Sequence, residues 1–119
     1  MTNEEAFKIS ADGLLKQGCR SMNSEYATCA FRGQNNTRCA IGLLILDEDF
    51  LHGFVIFLIE DILDNELAGS LHGLDRAMLL GLMHIHDAYF PPRWKVQLLE
   101  LATQCNLNWT PPQAEEAGA

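Results

Sequence analysis

Between Cys39 and Asp75 the chain has no lysine or arginine, while Asp47, Glu48, Asp49, Glu60, Asp61, Asp64, Glu66 and Asp75 put eight acids there. Overall, 8 basic residues face 16 acidic ones, for a net charge of −8. Direct nucleic-acid binding relies on Lys and Arg neutralising phosphates, so this balance argues against it. Long apolar runs are also missing. The most apolar stretch, Leu51 to Ile59, is broken by His52 and Gly53 and closed by Glu60 and Asp61, far short of the ~20 residues a spanning helix needs. The first residues are acidic, and no apolar segment of secretory type follows within the first thirty. The expectation is a cytoplasmic protein with no membrane contact, whose four cysteines, at 19, 29, 39 and 105, remain thiols.

Motifs that carry chemistry are equally scarce. Neither C-x-x-C nor H-x-x-x-H occurs, so the local ligand spacing of zinc sites is missing. There is no phosphate-binding glycine pattern, no EF-hand loop, no nucleophile elbow and no internal repeat. No catalytic residue, metal ligand or cofactor is assigned on this basis.

What is present suits one globular unit. The 119 residues, 48% hydrophobic and 20% charged, fit a single core that closes without disulfides or metal. Asn3 reads as a helix N-cap. Phe7, Ala11, Leu14 and Leu15 form an amphipathic stripe that stops at Gly18. Tyr26 to Arg32 and Thr37 to Ile41, flanking Gly33 to Asn36, read as a β-hairpin at about 27–40 with Cys29 and Cys39 on facing strands. Ile41 to Leu46 is a short buried element. Phe54 to Ile59 is apolar on every side, which suits a central element or a homodimer contact, and continuation through Ile62 and Leu63 favours a helix. Leu74 to Tyr89 is the clearest helix, with Ala77 and Gly81 allowing close packing. Phe90-Pro91-Pro92 ends it and starts a last helix that buries Trp94, Leu98, Leu101, Ala102 and Cys105. The expected fold is mainly α, formally α+β: four to five helices around one short hairpin over 1–107, then a flexible tail over 108–119.

Three groups of residues are candidates for function. Asp47, Glu48, Asp49, Glu60 and Asp61 form either a solvated face or a docking surface for a basic partner. Arg32 and Arg38, around the hairpin, either meet an anionic partner or neutralise the acids nearby. His84 and His86 lie two apart, so on a helix they occupy opposed faces and do not converge on a metal. One is expected to be buried and hydrogen-bonded and the other solvated, with Asp87 near the surface. His86 and Asp87 are then candidate ligand-binding residues.

Cys29-Ala30-Phe31-Arg32-Gly33, followed by Arg38-Cys39-Ala40-Ile41-Gly42-Leu43-Leu44-Ile45, resembles a recurring pattern in small uncharacterised proteins of tailed bacteriophages and prophages. The likeness extends to Ile85-His86-Asp87 and to Trp94 with Leu98 and Ala102, and covers most of Phe7 to Leu107. The resemblance implies a setting, a bacterial cell during infection or prophage carriage, and no activity or functional residue. Small phage accessory proteins commonly act by binding host machinery. The leading expectation is therefore a non-enzymatic accessory protein that binds a host protein, such as a nucleic-acid-handling or antiviral-defence complex. The alternatives are a small-molecule-binding protein with a polar pocket near the hairpin and His86, and a small metal-dependent or cysteine hydrolase.

Overall fold

In the computed structural model, residues 1–23, 28–46, 59–64 and 69–112 are described, with backbone alone at 23, 28 and 29. The fold is mainly helical. Helices α1 (Asn3–Gln17), α3 (Arg76–Ala88) and α4 (Trp94–Gln104) pack around one core, and the short α2 (Ile59–Asp64) lies against α3. The radius of gyration, 13.5 Å, matches the roughly 13.5 Å expected of a compact chain of this length. No helix among the described residues is long and apolar enough to cross a membrane.

The helix starting near the N-terminus is capped one residue earlier than expected. Thr2, not Asn3, is the N-cap: its Oγ1 accepts from the Glu5 N–H at 3.1 Å, and the Thr2 N–H donates to Glu5 Oε1 at 2.8 Å. This reciprocal pair satisfies two amides that would otherwise lack partners. Asn3 instead accepts from the Asp75 N–H at 2.8 Å, tying the start of α1 to the N-cap of α3. Gly18 closes α1 in the left-handed region, φ 71°, and its N–H donates to the Leu14 carbonyl. The expected stripe is buried at Phe7, Ala11 and Leu14, while Leu15 packs against its edge.

Helix α3 begins at Asp75, whose carboxylate caps the Ala77 N–H, and it buries Met78, Leu79, Leu82, Ile85 and His86. Gly81 provides the expected close approach, because a Cβ there would lie 2.7 Å from Leu101 Cδ1 of α4. Ala77 does not contribute to it and is exposed. Phe90 is extended ahead of Pro91, as the proline ring requires of its predecessor. Trp94 enters the core fully buried. After α4, Asn106 turns left-handed at φ 56°, and the Leu107 N–H bonds back to the Ala102 carbonyl at 2.8 Å. That reversal brings the chain back onto α1. Trp109 meets Phe7 edge-on at 5.4 Å and donates its indole N–H to Asp12 at 3.0 Å. The segment expected to be a tail from 108 therefore begins docked on α1, and residues from 113 on lie outside those described.

The β-hairpin expected over 27–40 does not form. Strands β1 (Met22–Asn23) and β2 (Thr28–Cys29) make a two-residue antiparallel pair instead, with Met22 opposite Cys29 and Asn23 opposite Thr28. Cys29 thus faces Met22 and not Cys39. Across Gln34–Asn36, where Asn35 and Asn36 both take positive φ, there is only a single bridge, Arg32 opposite Arg38. Beyond that bridge the outer backbone is tied to α1. The Gln17 amide receives the Arg38 N–H at 2.9 Å and donates to the Arg38 carbonyl at 3.0 Å. Ser10 donates to the Ala40 carbonyl at 2.8 Å. Gly42 then folds the chain over Phe31, where a Cβ would sit 1.8 Å from the Phe31 carbonyl oxygen, and Gly42–Leu44 makes a 3₁₀ turn. The expected apolar helix from Phe54 is described only from Ile59 on, so the homodimer surface assigned to Phe54–Ile59 falls almost wholly outside the described residues.

Candidate functional site

Among the described residues His86 is the one histidine that the core encloses, while His84 and Asp87 are exposed, as expected of positions on different sides of a helix. Its ring stacks on Trp94 with centroids 5.6 Å apart. The Ser21 backbone N–H donates to Nε2 at 3.0 Å. Nε2 is therefore the acceptor, and Nδ1 carries the proton it donates to Asp87 Oδ1 at 2.6 Å. Beside this clip, the Arg20 guanidinium donates to the Tyr89 carbonyl at 2.9 Å and lies over the Phe90 ring at 4.9 Å. Trp94 Nε1 donates to the same carbonyl at 3.0 Å. The 19–21 segment is thus fastened to the α3–α4 corner at three points.

Ser21, His86 and Asp87 together hold the residue types of a hydrolytic triad, but they are wired differently. A triad needs the serine hydroxyl on Nε2 with room for a substrate. Here the backbone amide takes that place, Ser21 is fully buried, and its hydroxyl has no hydrogen-bond partner. Both nitrogens of His86 are occupied, leaving no lone pair for a ligand. The arrangement orients a loop. Among the thiols described, Cys19 is exposed, Cys39 buried and Cys105 half-buried. Burial, and then the Asp75 carboxylate, push the Cys105 thiol up, opposite to what a nucleophile needs. No group of three or more His, Cys, Asp or Glu among the described residues is placed to hold a metal.

The structure brings Arg32 and Arg38 together. As a bridged pair without hydrogen bonds between them, they occupy the closest cross-strand positions. Arg32 is half-buried and donates to the Ile45 carbonyl at 3.2 Å. With Gly33, Asn36 and Thr37 the two line a cleft of about 230 Å³. Ser21 separates this loop from His86: a Cβ on Gly33 would lie 2.6 Å from Ser21 Oγ. The space between hairpin and histidine is filled by the serine.

On α2, Ile59 and Ile62 are buried while Glu60, Asp61 and Asp64 are exposed, so three acids share the outer face of one short helix. Arg76 pairs with Asp64 at 2.6 Å. Asp47, Glu48 and Asp49 lie outside the described residues. Sequence reasoning missed Ser21, Arg20 and the Tyr89 carbonyl as partners of the histidine corner, since two of these act through backbone atoms that leave no side-chain pattern. No protein-family model matches the chain, and neither a curated protein nor a solved structure matches it.

Proposed function

We propose that this chain is a non-enzymatic phage or prophage accessory protein that binds a host protein with a basic surface, such as a nucleic-acid-handling or antiviral-defence complex. One observation carries the reading: α2 buries its isoleucines and turns Glu60, Asp61 and Asp64 outward, in a stretch of sequence without lysine or arginine from Cys39 to Asp75. A basic partner gains from such a face by steering and by charge complementarity. The engagement of His86 and Asp87 in holding the 19–21 segment favours the same reading.

The test is capture from a bacterial lysate by wild-type protein and by a variant with Asp47, Glu48, Asp49, Glu60 and Asp61 all changed to lysine. Loss of a wild-type partner, with the variant still folded by circular dichroism, supports acidic docking. Retention of every partner overturns it. A second reading, small-molecule binding, has the cleft beside Arg32 and Arg38 in its favour. Native mass spectrometry tests it: a bound metabolite lost on Arg38→Ala supports it, and a clean apo mass counts against it.

A further inference from the structure

Helix α4 is amphipathic twice over. Trp94, Leu98, Leu101 and Ala102 face the core. On the opposite side Val96 is 57% exposed and Leu99 38% exposed, two of the few large apolar side chains left to solvent. Pro92, one turn earlier, and Thr103, one turn later, are exposed in line with them. The Thr103 hydroxyl is already used on the Leu99 carbonyl at 3.1 Å. Positions 92, 96, 99 and 103 alternate in steps of four and three, the spacing of a coiled-coil seam. Exposed Lys95 and Glu100 flank the strip, one on each side.

We infer that this strip is a self-association seam that takes α4 of a second copy of the chain in parallel. The flanking charges select both occupant and direction. When two α4 helices run parallel about a two-fold axis along the seam, Lys95 faces the partner's Glu100, five positions on, and the symmetry repeats the pair. In an antiparallel pair lysine meets lysine, while Glu100 meets Arg93, which is exposed on its edge, so only one flank attracts. The core lies on the far side of α4, so the seam is reached from outside the molecule. The surface spans only about one and a half heptads, short of a standard interface of ~800 Å² per partner, so association is weak.

Sedimentation equilibrium of the full chain, from roughly 10 µM to 1 mM at low salt, tests the seam. The wild type rises toward a dimer mass. Leu99→Glu remains monomeric. Lys95→Glu or Glu100→Lys alone sets like charges against each other in both pairs and weakens association by about tenfold. The double exchange, Lys95→Glu with Glu100→Lys, restores it to within about threefold. All three substituted positions are exposed, and circular dichroism verifies folding. A wild type that stays monomeric throughout overturns the inference, as does a Leu99→Glu variant that dimerises like wild type, or a double exchange no stronger than the single ones.

Discussion

The three long helices and the segment from Cys19 to Leu46 are held in place by different physics. The helices bury periodic apolar side chains against one another, with Phe7, Leu14, Met78, Leu82, Trp94 and Leu98 all fully enclosed. The 19–46 segment has two short strands and two single 3₁₀ turns among its described residues. It also buries Phe31, Cys39, Ala40, Ile41, Leu44 and Ile45 in that core, but its course is set in addition by individual polar fastenings: Arg20 to the Tyr89 carbonyl, Ser21 to His86, Gln17 to the Arg38 backbone, Arg32 to the Ile45 carbonyl and Ser10 to the Ala40 carbonyl. Dispersed apolar contacts lose stability in proportion to the volume removed. A segment held by a few directional bonds loosens when one acceptor is deleted. Damage to the helices should therefore be global, and damage to the fastenings local.

Trp94→Ala should have the largest effect, because the indole fills the core, stacks on His86 and donates to the Tyr89 carbonyl. A loss of about 3–5 kcal/mol is expected from urea unfolding. Helical circular dichroism and the 19–21 fastening should fail together. If the fastening survived in a variant that otherwise remained folded, the two regions would be less coupled than the shared tryptophan implies.

Gly42→Ala comes next. The Phe31 carbonyl blocks the new methyl group, and backbone must shift to admit it, at a cost of roughly 3 kcal/mol. Gly13→Ala is the control: its nearest neighbour is the end of the flexible Leu43 side chain, 2.9 Å from the added Cβ, and helix propensity returns up to about 1 kcal/mol. Equal losses from both would mean that the loop backbone yields more readily than this geometry requires.

His86 separates the two regions most sharply. His86→Ala removes the acceptor from the buried Ser21 amide and should cost about 1–3 kcal/mol. His86→Gln carries an oxygen that can accept from that amide, and should cost less. Amide exchange at Ser21 should quicken strongly in the alanine variant while the amides of α1 keep their protection. Uniform loss of protection would show that the 19–23 segment and the helices open as one unit.

The elements legible in the sequence were those set by periodic burial. Phe7, Ala11 and Leu14 gave α1, Leu82 and Ile85 gave α3, Trp94 and Leu98 gave α4, and the two-residue spacing of His84 and His86 on a helix separated the exposed ring from the buried one. The hairpin was not legible, because Thr37 to Ile41 has β-compatible side chains but, beyond its bonds to Gly33 and Phe31, its backbone is held by Gln17 and Ser10 on α1. The same holds for Ser21, whose contribution to the histidine site is an N–H that every residue but proline has. The N-cap is a different case. Thr2 and Glu5 stand three apart, the spacing of a capping box, so the signal was in the sequence and Asn3 obscured it.

That cap supports the smallest prediction and the only one whose size depends on pH. Hydrogen bonds from Thr2, first its backbone N–H and then its hydroxyl, hold the Glu5 carboxyl below its ordinary value of 4.5. A carboxyl lowered in the folded state contributes stability that is fully present above the unfolded value and fades as pH falls through the folded one. Thr2→Ala should therefore lower the thermal midpoint by a few degrees at neutral pH, from about 1 kcal/mol of lost capping. Glu5→Gln should differ from wild type at neutral pH and converge on it as pH falls below the lowered folded value of Glu5, where both side chains are uncharged. The exposed cap lies on the helical side of the comparison, so its loss should fray the first turn of α1 without quickening exchange at Ser21. If Ser21 responded to Thr2→Ala as strongly as to His86→Ala, the loop would depend on the stability of α1 as a whole, and the distinction between a packed frame and a bolted segment would fail.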